Sequence, residues 1–210
     1  MIRIAIADDH AIVRKGLRQI LSDTNDLSVT GEAGSAGELL TLLRSQSFDV
    51  LVLDLTLGVR SGFDLLEQIR NEFPRLPVVI LSMHSETFFA TRALRAGALA
   101  YVQKEGAPDE LLTAIRRTVA GRTYVSAAMA EKMAADVARG TGQVLPHERL
   151  SDREFEIFLH LGAGRTVTDI AHVLNLSVKT VSSHRTRILE KTGLRDNADI
   201  VQYINAHQLH

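Results

Sequence analysis

Two adjacent carboxylates, Asp8 and Asp9, end the apolar run "IRIAIA", and a third, Asp54, ends "VLVLD". Neighbouring carboxylates repel one another unless a positive partner sits between them. Ser82 ends another apolar run, "PVVILS", and Lys104 closes "LAYVQK". Oxygen-rich acidic sites of this kind suit a hard divalent cation, most simply Mg²⁺. A cation and an ammonium neutralise phosphoryl oxygens, so one carboxylate becomes a nucleophile towards phosphorus, by positioning and charge stabilisation. Taken singly, each residue has a plainer role. Asp8 and Asp9 could cap the helix that follows, and a strand-end Asp or Ser and an exposed Lys are commonplace. The combination carries the reading.

A second concentration of chemistry lies near the other end. Between Ser177 and Arg195 stand five basic residues, Lys179, Arg185, Arg187, Lys191 and Arg195, against one acid, Glu190. The whole chain has a formal net charge of −1, so this is a local basic patch in a neutral protein.

The elements that must position these residues differ between the halves. Up to about residue 122, the apolar runs "IRIAIA", "LSVTGEA", "VLVLDL", "PVVILS" and "LAYVQK" alternate with helical patterns at Ala11–Leu21, Ala36–Arg44, Gly62–Phe73, Glu86–Arg95 and Pro108–Ala120. Five strand–helix units imply an α/β fold, a doubly wound five-stranded parallel sheet. Ligands gather at the carboxyl ends of such strands. Strands one and three are neighbours in the usual order, so Asp8, Asp9 and Asp54 converge, with Ser82 and Lys104 on the same rim.

From about Ser126 the strands vanish. "SAAMAEKMAADVARG" is helix-prone, and "GTGQVLPHE" reads as a flexible linker. An all-α segment follows. Ser151 and Glu154 form a capping-box pattern, "VTDIAHVL" is a short helix, "NLS" turns the corner, and Ser177 can cap a basic helix to about Lys191. A short helix, a tight turn and a longer basic helix make a helix-turn-helix, whose second helix can enter the major groove of double-stranded DNA. Ile170, Ala171, Leu174, Val178, Val181, Ile188 and Leu189 supply its core, leaving Lys179, Ser182, Ser183, Arg185 and Arg187 outward. An interaction bundle with a solvated charged face is the alternative, but the helix spacing and clustered bases favour DNA. The expected divisions are 1–122, a helical linker over 123–148, and a four-helix domain over 149–210.

An apolar fraction of 45% builds a packed core, and the absence of cysteine removes disulfides and thiolate metal sites. No apolar run approaches the roughly 20 residues of a spanning helix, and the start lacks the pattern of a signal peptide. The expectation is a cytoplasmic protein without a membrane partner.

Through "ADD", "LVLDL", "SGFDLL", "VVILS" and "AYVQK", residues 1 to about 122 resemble the receiver domain of two-component response regulators. The resemblance implies that Asp54 is the phosphoacceptor, served by a sensor histidine kinase. Asp9 and Asp54 would hold Mg²⁺ directly, Asp8 through water, and the carbonyl of Thr56 would be a further ligand. Ser82 and Lys104 would hold phosphoryl oxygens, and Tyr101 would be the aromatic switch residue. Gly58 stands where most receivers have Pro, a more permissive loop position.

Residues from Leu150 to Leu209 resemble the DNA-binding domain of the LuxR, or NarL/FixJ, family, matching "IAxxLxxSxKTVxxHxxxIxxK" from Ile170 to Lys191. Asp152 replaces a usual Pro, and Thr192 a frequent Leu. The resemblance implies base contacts from Ser182, Ser183 and Arg185, with Arg185 suited to guanine, and phosphate contacts from Lys179, Thr180 and Arg187. His184 is expected to be structural. In this family the last helix, about Asn197–Ala206, pairs two domains, which points to Ile200, Val201 and Ile204 and to a homodimer when active. Over this half the chain is also similar to regulators of the capsule-synthesis phosphorelay.

The order of the parts implies a response regulator that controls transcription rather than a dedicated enzyme. A phosphatase of the haloacid-dehalogenase type also uses Asp, Mg²⁺, a hydroxyl and Lys. It carries "DxDx[TS]" at strand one, where "DDH" stands here. A regulator that binds DNA without phosphorylation is the second rival.

Overall fold

Each apolar run of the first half becomes a strand in the computed structural model, which describes residues 1–57, 62–83, 86–106, 108–138, 145–207 and 209. The strands are β1 (Ile2–Ala7), β2 (Leu27–Ala33), β3 (Val50–Asp54), β4 (Val78–Ser82) and β5 (Ala100–Gln103). They are parallel and ordered β2-β1-β3-β4-β5. Between and after them run α1 (Ala11–Ser22), α2 (Ala36–Ser45), α3 (Gly62–Glu72), α4 (Glu86–Arg95) and α5 (Pro108–Val119). β3 and β4 are buried at every position, as strands covered on both faces must be.

The register levels the strand ends. Ala7 pairs with Leu53, so Asp8 and Asp54, each one residue further on, emerge side by side. Asp54 pairs with Leu81 and Ser82 with Gln103, which brings Ser82 and Lys104 to the same rim. The strand order reverses between β1 and β3, and a crevice opens at such a switch point. Gly62 begins α3 against the backbone of Leu55. A Cβ there would stand 2.1 Å from the Leu55 carbonyl oxygen, so only glycine lets α3 start this close to the end of β3.

Beyond α5, Tyr124 bridges to Ala100 at the edge of the sheet, its N–H donating to Leu99 O at 2.9 Å. There follow α6 (Ala127–Ala138), a 3-10 turn at Pro146–Arg149, α7 (Asp152–Gly162), α8 (Val167–Val173), α9 (Val178–Thr192) and α10 (Asn197–His207). The chain forms two compact units, Met1–Lys132 and Met133–His210. Gly58 and residues 139–144 of the expected linker lie outside the described residues. The "PHER" end of that stretch is ordered rather than loose. Pro146 opens the turn, Glu148 accepts from the Leu145 N–H at 3.2 Å, and His147 is buried with its Nδ1 2.9 Å from the Tyr203 hydroxyl.

In the second unit the helix starts are written in the sequence. Ser151 and Thr166 form capping boxes with Glu154 and Asp169, and Ser177 accepts from the Thr180 N–H. Asn175 turns the corner between α8 and α9 with φ of 50°, a left-handed conformation that Asn tolerates better than most residues. Ile170, Ala171, Leu174, Val181 and Ile188 are buried as expected, and Leu189 is partly so. Val178 is not a core residue: as the first residue of α9 it points away from the bundle and remains 49% exposed.

Candidate phosphoryl-acceptor site and nucleic-acid interface

The rim of the sheet brings Asp8, Asp9 and Asp54 together, with ligand atoms within 4.8 Å of one another, and His10 joins them. Asp8 and Asp54 are buried, whereas Asp9 is exposed. Lys104 reaches between the two buried carboxylates, its Nζ 2.6 Å from Asp8 Oδ2 and 2.7 Å from Asp54 Oδ2. Burial alone would lower the pKa of this ammonium, but its hydrogen bonds to Asp54 and Asp8 outweigh that and hold it above the usual lysine range. Lys104 offsets only one of three negative charges, so the pocket retains an excess that a cation can satisfy.

Asp54 is tightly oriented. Its Oδ1 accepts from the Thr56 N–H at 3.0 Å, and its Oδ2 accepts from the Thr56 hydroxyl at 2.8 Å. Thr56 thus holds the Asp54 carboxylate through its N–H and hydroxyl, beyond the carbonyl role that sequence similarity implies. The His10 N–H caps Asp8 Oδ1 at 2.7 Å, and the imidazole Nδ1 stands 2.7 Å from Asp9 Oδ1. Nothing in the pattern of the sequence singled out His10, because a residue after two acids reads as a helix start. The donor set, carboxylate oxygens converging at the end of a strand, fits a hard cation such as Mg²⁺.

Ser82 and Tyr101 are fully buried, and the Ser82 side chain hydrogen-bonds the Tyr101 phenol. Burial pushes that phenol well above its ordinary range, the Ser82 bond acting against the shift and the nearby Glu86 and Asp54 charges with it. Tyr101 therefore lies inward, in contact with the Ser82 hydroxyl.

In the second unit, Lys179, Ser182, Ser183 and Arg187 are exposed on α9, Thr180 is partly so, and Arg185 is half-buried. Each residue advances a helix by about 100°. Lys179, Ser182, Ser183 and Thr186 therefore share one face, with Thr186 near its centre. Arg185 stands at the edge of this face, turned towards α10, where its Nε donates to Asn197 Oδ1 at 2.7 Å. His184 is partly buried, and that burial lowers its pKa, with the Glu154 charge opposing. Thr192 replaces an apolar side chain by folding its hydroxyl back to Ile188 O at 2.7 Å.

The last helix requires a correction. Ile200 and Ile204 do not present themselves to a second chain, being 0% and 4% exposed. Ile204 fills the space beside Gly162 so closely that a Cβ on that glycine would meet its Cδ1 at 2.0 Å. They belong to the core of their own domain, because α10 must bury one stripe against α7 to be held at all. Val201 is half-exposed, and Ala198, Gln202 and Asn205 form the outer surface of α10.

Comparison with known proteins agrees with both halves. Residues 4–116 match the family described as "Response regulator receiver domain", and residues 148–204 match "Bacterial regulatory proteins, luxR family". The chain belongs to the response regulators that join a receiver domain to a luxR-type DNA-binding domain, and it is by family a regulator of transcription. It is 31% identical over 209 residues to the response regulator UvrY of Escherichia coli K12, covering 100% of this chain and 96% of that one. It is 33% identical over 207 residues to the oxygen regulatory protein NreC of Staphylococcus carnosus, covering 96% and 95%. It is similar in structure to RcsB from Salmonella enterica serovar Typhimurium, solved on the rprA promoter with the phosphomimetic BeF3⁻, with a TM-score of 0.70 at 28% identity over 97% of this chain and 98% of that one. Among the described residues no helix is long and apolar enough to cross a membrane.

Proposed function

We propose that this chain is a phosphorylation-controlled transcription factor, with residues 1–122 as receiver, 123–148 as linker and 149–210 as DNA-binding domain. The observation that carries the reading is Lys104 lying between the buried carboxylates of Asp8 and Asp54. Asp54 takes the phosphoryl group from a phosphohistidine of a sensor kinase. A carboxylate oxygen attacks phosphorus, the P–N bond breaks, and the imidazole keeps the electron pair and takes a proton. Mg²⁺, held directly by Asp9, Asp54 and the Thr56 carbonyl and through water by Asp8, would supply charge neutralisation for the phosphoryl oxygens. Lys104 exchanges its bond to Asp54 for one to the new phosphoryl group, and Ser82 turns towards the same group. Ser82 then leaves Tyr101, and the change reaches the surface around β4, β5 and α4.

In the second unit, Ser182, Ser183 and Arg185 read base edges, while Lys179, Thr180 and Arg187 grip phosphates. The active form is a homodimer on double-stranded DNA, with Val201 and the outer face of α10 in contact. RcsB, whose solved forms include dimers on DNA, supports this assembly. The protein acts in the cytoplasm, where its kinase partner and DNA are met.

The test compares DNA affinity and sedimentation of the parent protein and Asp54→Asn, each with and without acetyl phosphate and Mg²⁺. The phosphodonor should raise dimer content and affinity in the parent alone. Equal affinity in all samples would instead favour the regulator that binds DNA without phosphorylation.

A further inference from the structure

We propose that Asn197, the first residue of α10, is a positioning residue that aims the Arg185 guanidinium at DNA; this rests on the reading of Arg185 as a DNA-contacting side chain. The bond joins two rigid pieces. Arg185 sits on α9 between Val181 and Ile188, both fully buried, and Asn197 is three residues before the fully buried Ile200. The start of α10 is itself fixed, since the Asp199 N–H donates to Asp196 Oδ1 at 3.0 Å and Arg195 pairs with Asp199 at 2.8 Å. Asn197 is thus a stationary acceptor, not the end of a mobile segment.

The choice of nitrogen matters. Asn197 engages Nε at 2.7 Å, leaving the two Nη nitrogens without a hydrogen bond among the described residues. Those two form the end of the guanidinium fork that can meet O6 and N7 of a guanine. An arginine unattached along its length must give up rotamer freedom on binding, whereas one already held at Nε has given up most of it in the free protein. Asn is also the apt partner. A carboxylate here would pair more strongly with Arg185, but it would place a negative charge beside the DNA backbone.

The consequence is that base preference depends on a residue that touches no base. Asn197→Ala leaves the charge of Arg185 in place but frees its direction. It should weaken binding to a preferred duplex by about threefold to tenfold, with little change for non-specific DNA.

The test uses full-length phosphodonor-treated protein and a duplex obtained by in vitro selection with the parent, alongside duplexes with each base pair changed. Affinities are measured for the parent, Asn197→Ala, Arg185→Ala, the double variant and Asn197→Asp, well below the thermal midpoint of each. The expected result is that Asn197→Ala relaxes the same base pair as Arg185→Ala and adds nothing in the Arg185→Ala background. Asn197→Asp, which keeps the acceptor, should retain the preference while losing affinity for all DNA. If Arg185→Ala relaxes preference and Asn197→Ala does not, Arg185 reads DNA without this support and the proposal fails. If Asn197→Ala costs the same with or without Arg185, Asn197 acts on its own, and the proposal also fails. If Arg185→Ala leaves preference intact, the underlying assignment of Arg185 is what falls.

Discussion

Glu86, the first residue of α4, holds Ser126, the residue that opens α6, with both oxygens of its carboxylate. Oε1 accepts from the Ser126 N–H at 2.9 Å, and Oε2 accepts from the Ser126 hydroxyl. The same hydroxyl accepts from the Met129 N–H at 3.1 Å and so caps α6. Glu86 stands four residues after Ser82, and its charge is felt by the Tyr101 phenol. The start of the proposed linker is thereby tied to α4, which begins four residues after Ser82.

Replacing Ser126 by Ala removes the cap and the hydroxyl bond to Glu86 while leaving the backbone bond. The receiver should lose about 1 kcal/mol of stability, measured as a lower urea midpoint. An unchanged midpoint would show that this tie adds nothing beyond backbone packing.

The buried position of Ile204 separates core from interface. Ile204→Ala should cost roughly 2–5 kcal/mol and lower the thermal midpoint of the DNA-binding half at any protein concentration. Val201→Glu, at a half-exposed position, should leave that midpoint nearly unchanged and reduce dimer content in phosphodonor-treated samples. A stable, monomeric Ile204→Ala would restore the interface role that its burial argues against.

Glu154 links the cap of α7 to α9 through Lys191 at 2.6 Å. Burial would raise its pKa, but Lys191 and the Ser151 bonds prevail and hold it below the usual range. A carboxylate depressed in the folded state contributes stability above its unfolded pKa, about 4.3, and this is lost as pH falls through the lower folded value. Glu154→Gln should therefore flatten the fall in stability below about pH 4.3. Denaturation midpoints between neutral and acidic pH give the slope, and parallel curves for parent and variant would contradict the assignment.

Phosphate contacts and base contacts differ in salt response. Lys179→Ala should weaken specific and non-specific duplexes alike and reduce the slope of log affinity against log salt by about 1. Arg185→Ala should in addition change which duplexes an in vitro selection recovers. A Lys179→Ala protein with the parental salt slope would remove Lys179 from the phosphate-binding set.

Much of this was legible because the chain announces its elements locally. Strand ends carry Asp8, Asp54 and Ser82, and the caps Ser151 and Ser177 are each followed by the residue they engage. The pairing of β1 with β3, which follows from the strand order, was enough to converge the acids. What sequence could not supply were relations between elements that share no local pattern. An apolar stripe on α10 looks the same whether it meets α7 or a second chain, so Ile200 and Ile204 were misplaced. Val178 matched the helical period yet fell at the first position of α9, where the helix has not turned into the bundle. The bonds from Asn197 to Arg185 and from Glu86 to Ser126 depend on side-chain reach across the fold, which periodicity does not encode.

The central claim is that Asp54 accepts a phosphoryl group in a pocket completed by Lys104. Intact mass after incubation with acetyl phosphate and Mg²⁺ tests it most directly, with Asp54→Asn and Lys104→Met alongside. The expected result is a gain of one phosphoryl group in the parent, none in Asp54→Asn, and a lower yield in Lys104→Met. A parent that stays unmodified while binding Mg²⁺, or an Asp54→Asn protein that gains the same mass, would contradict the account.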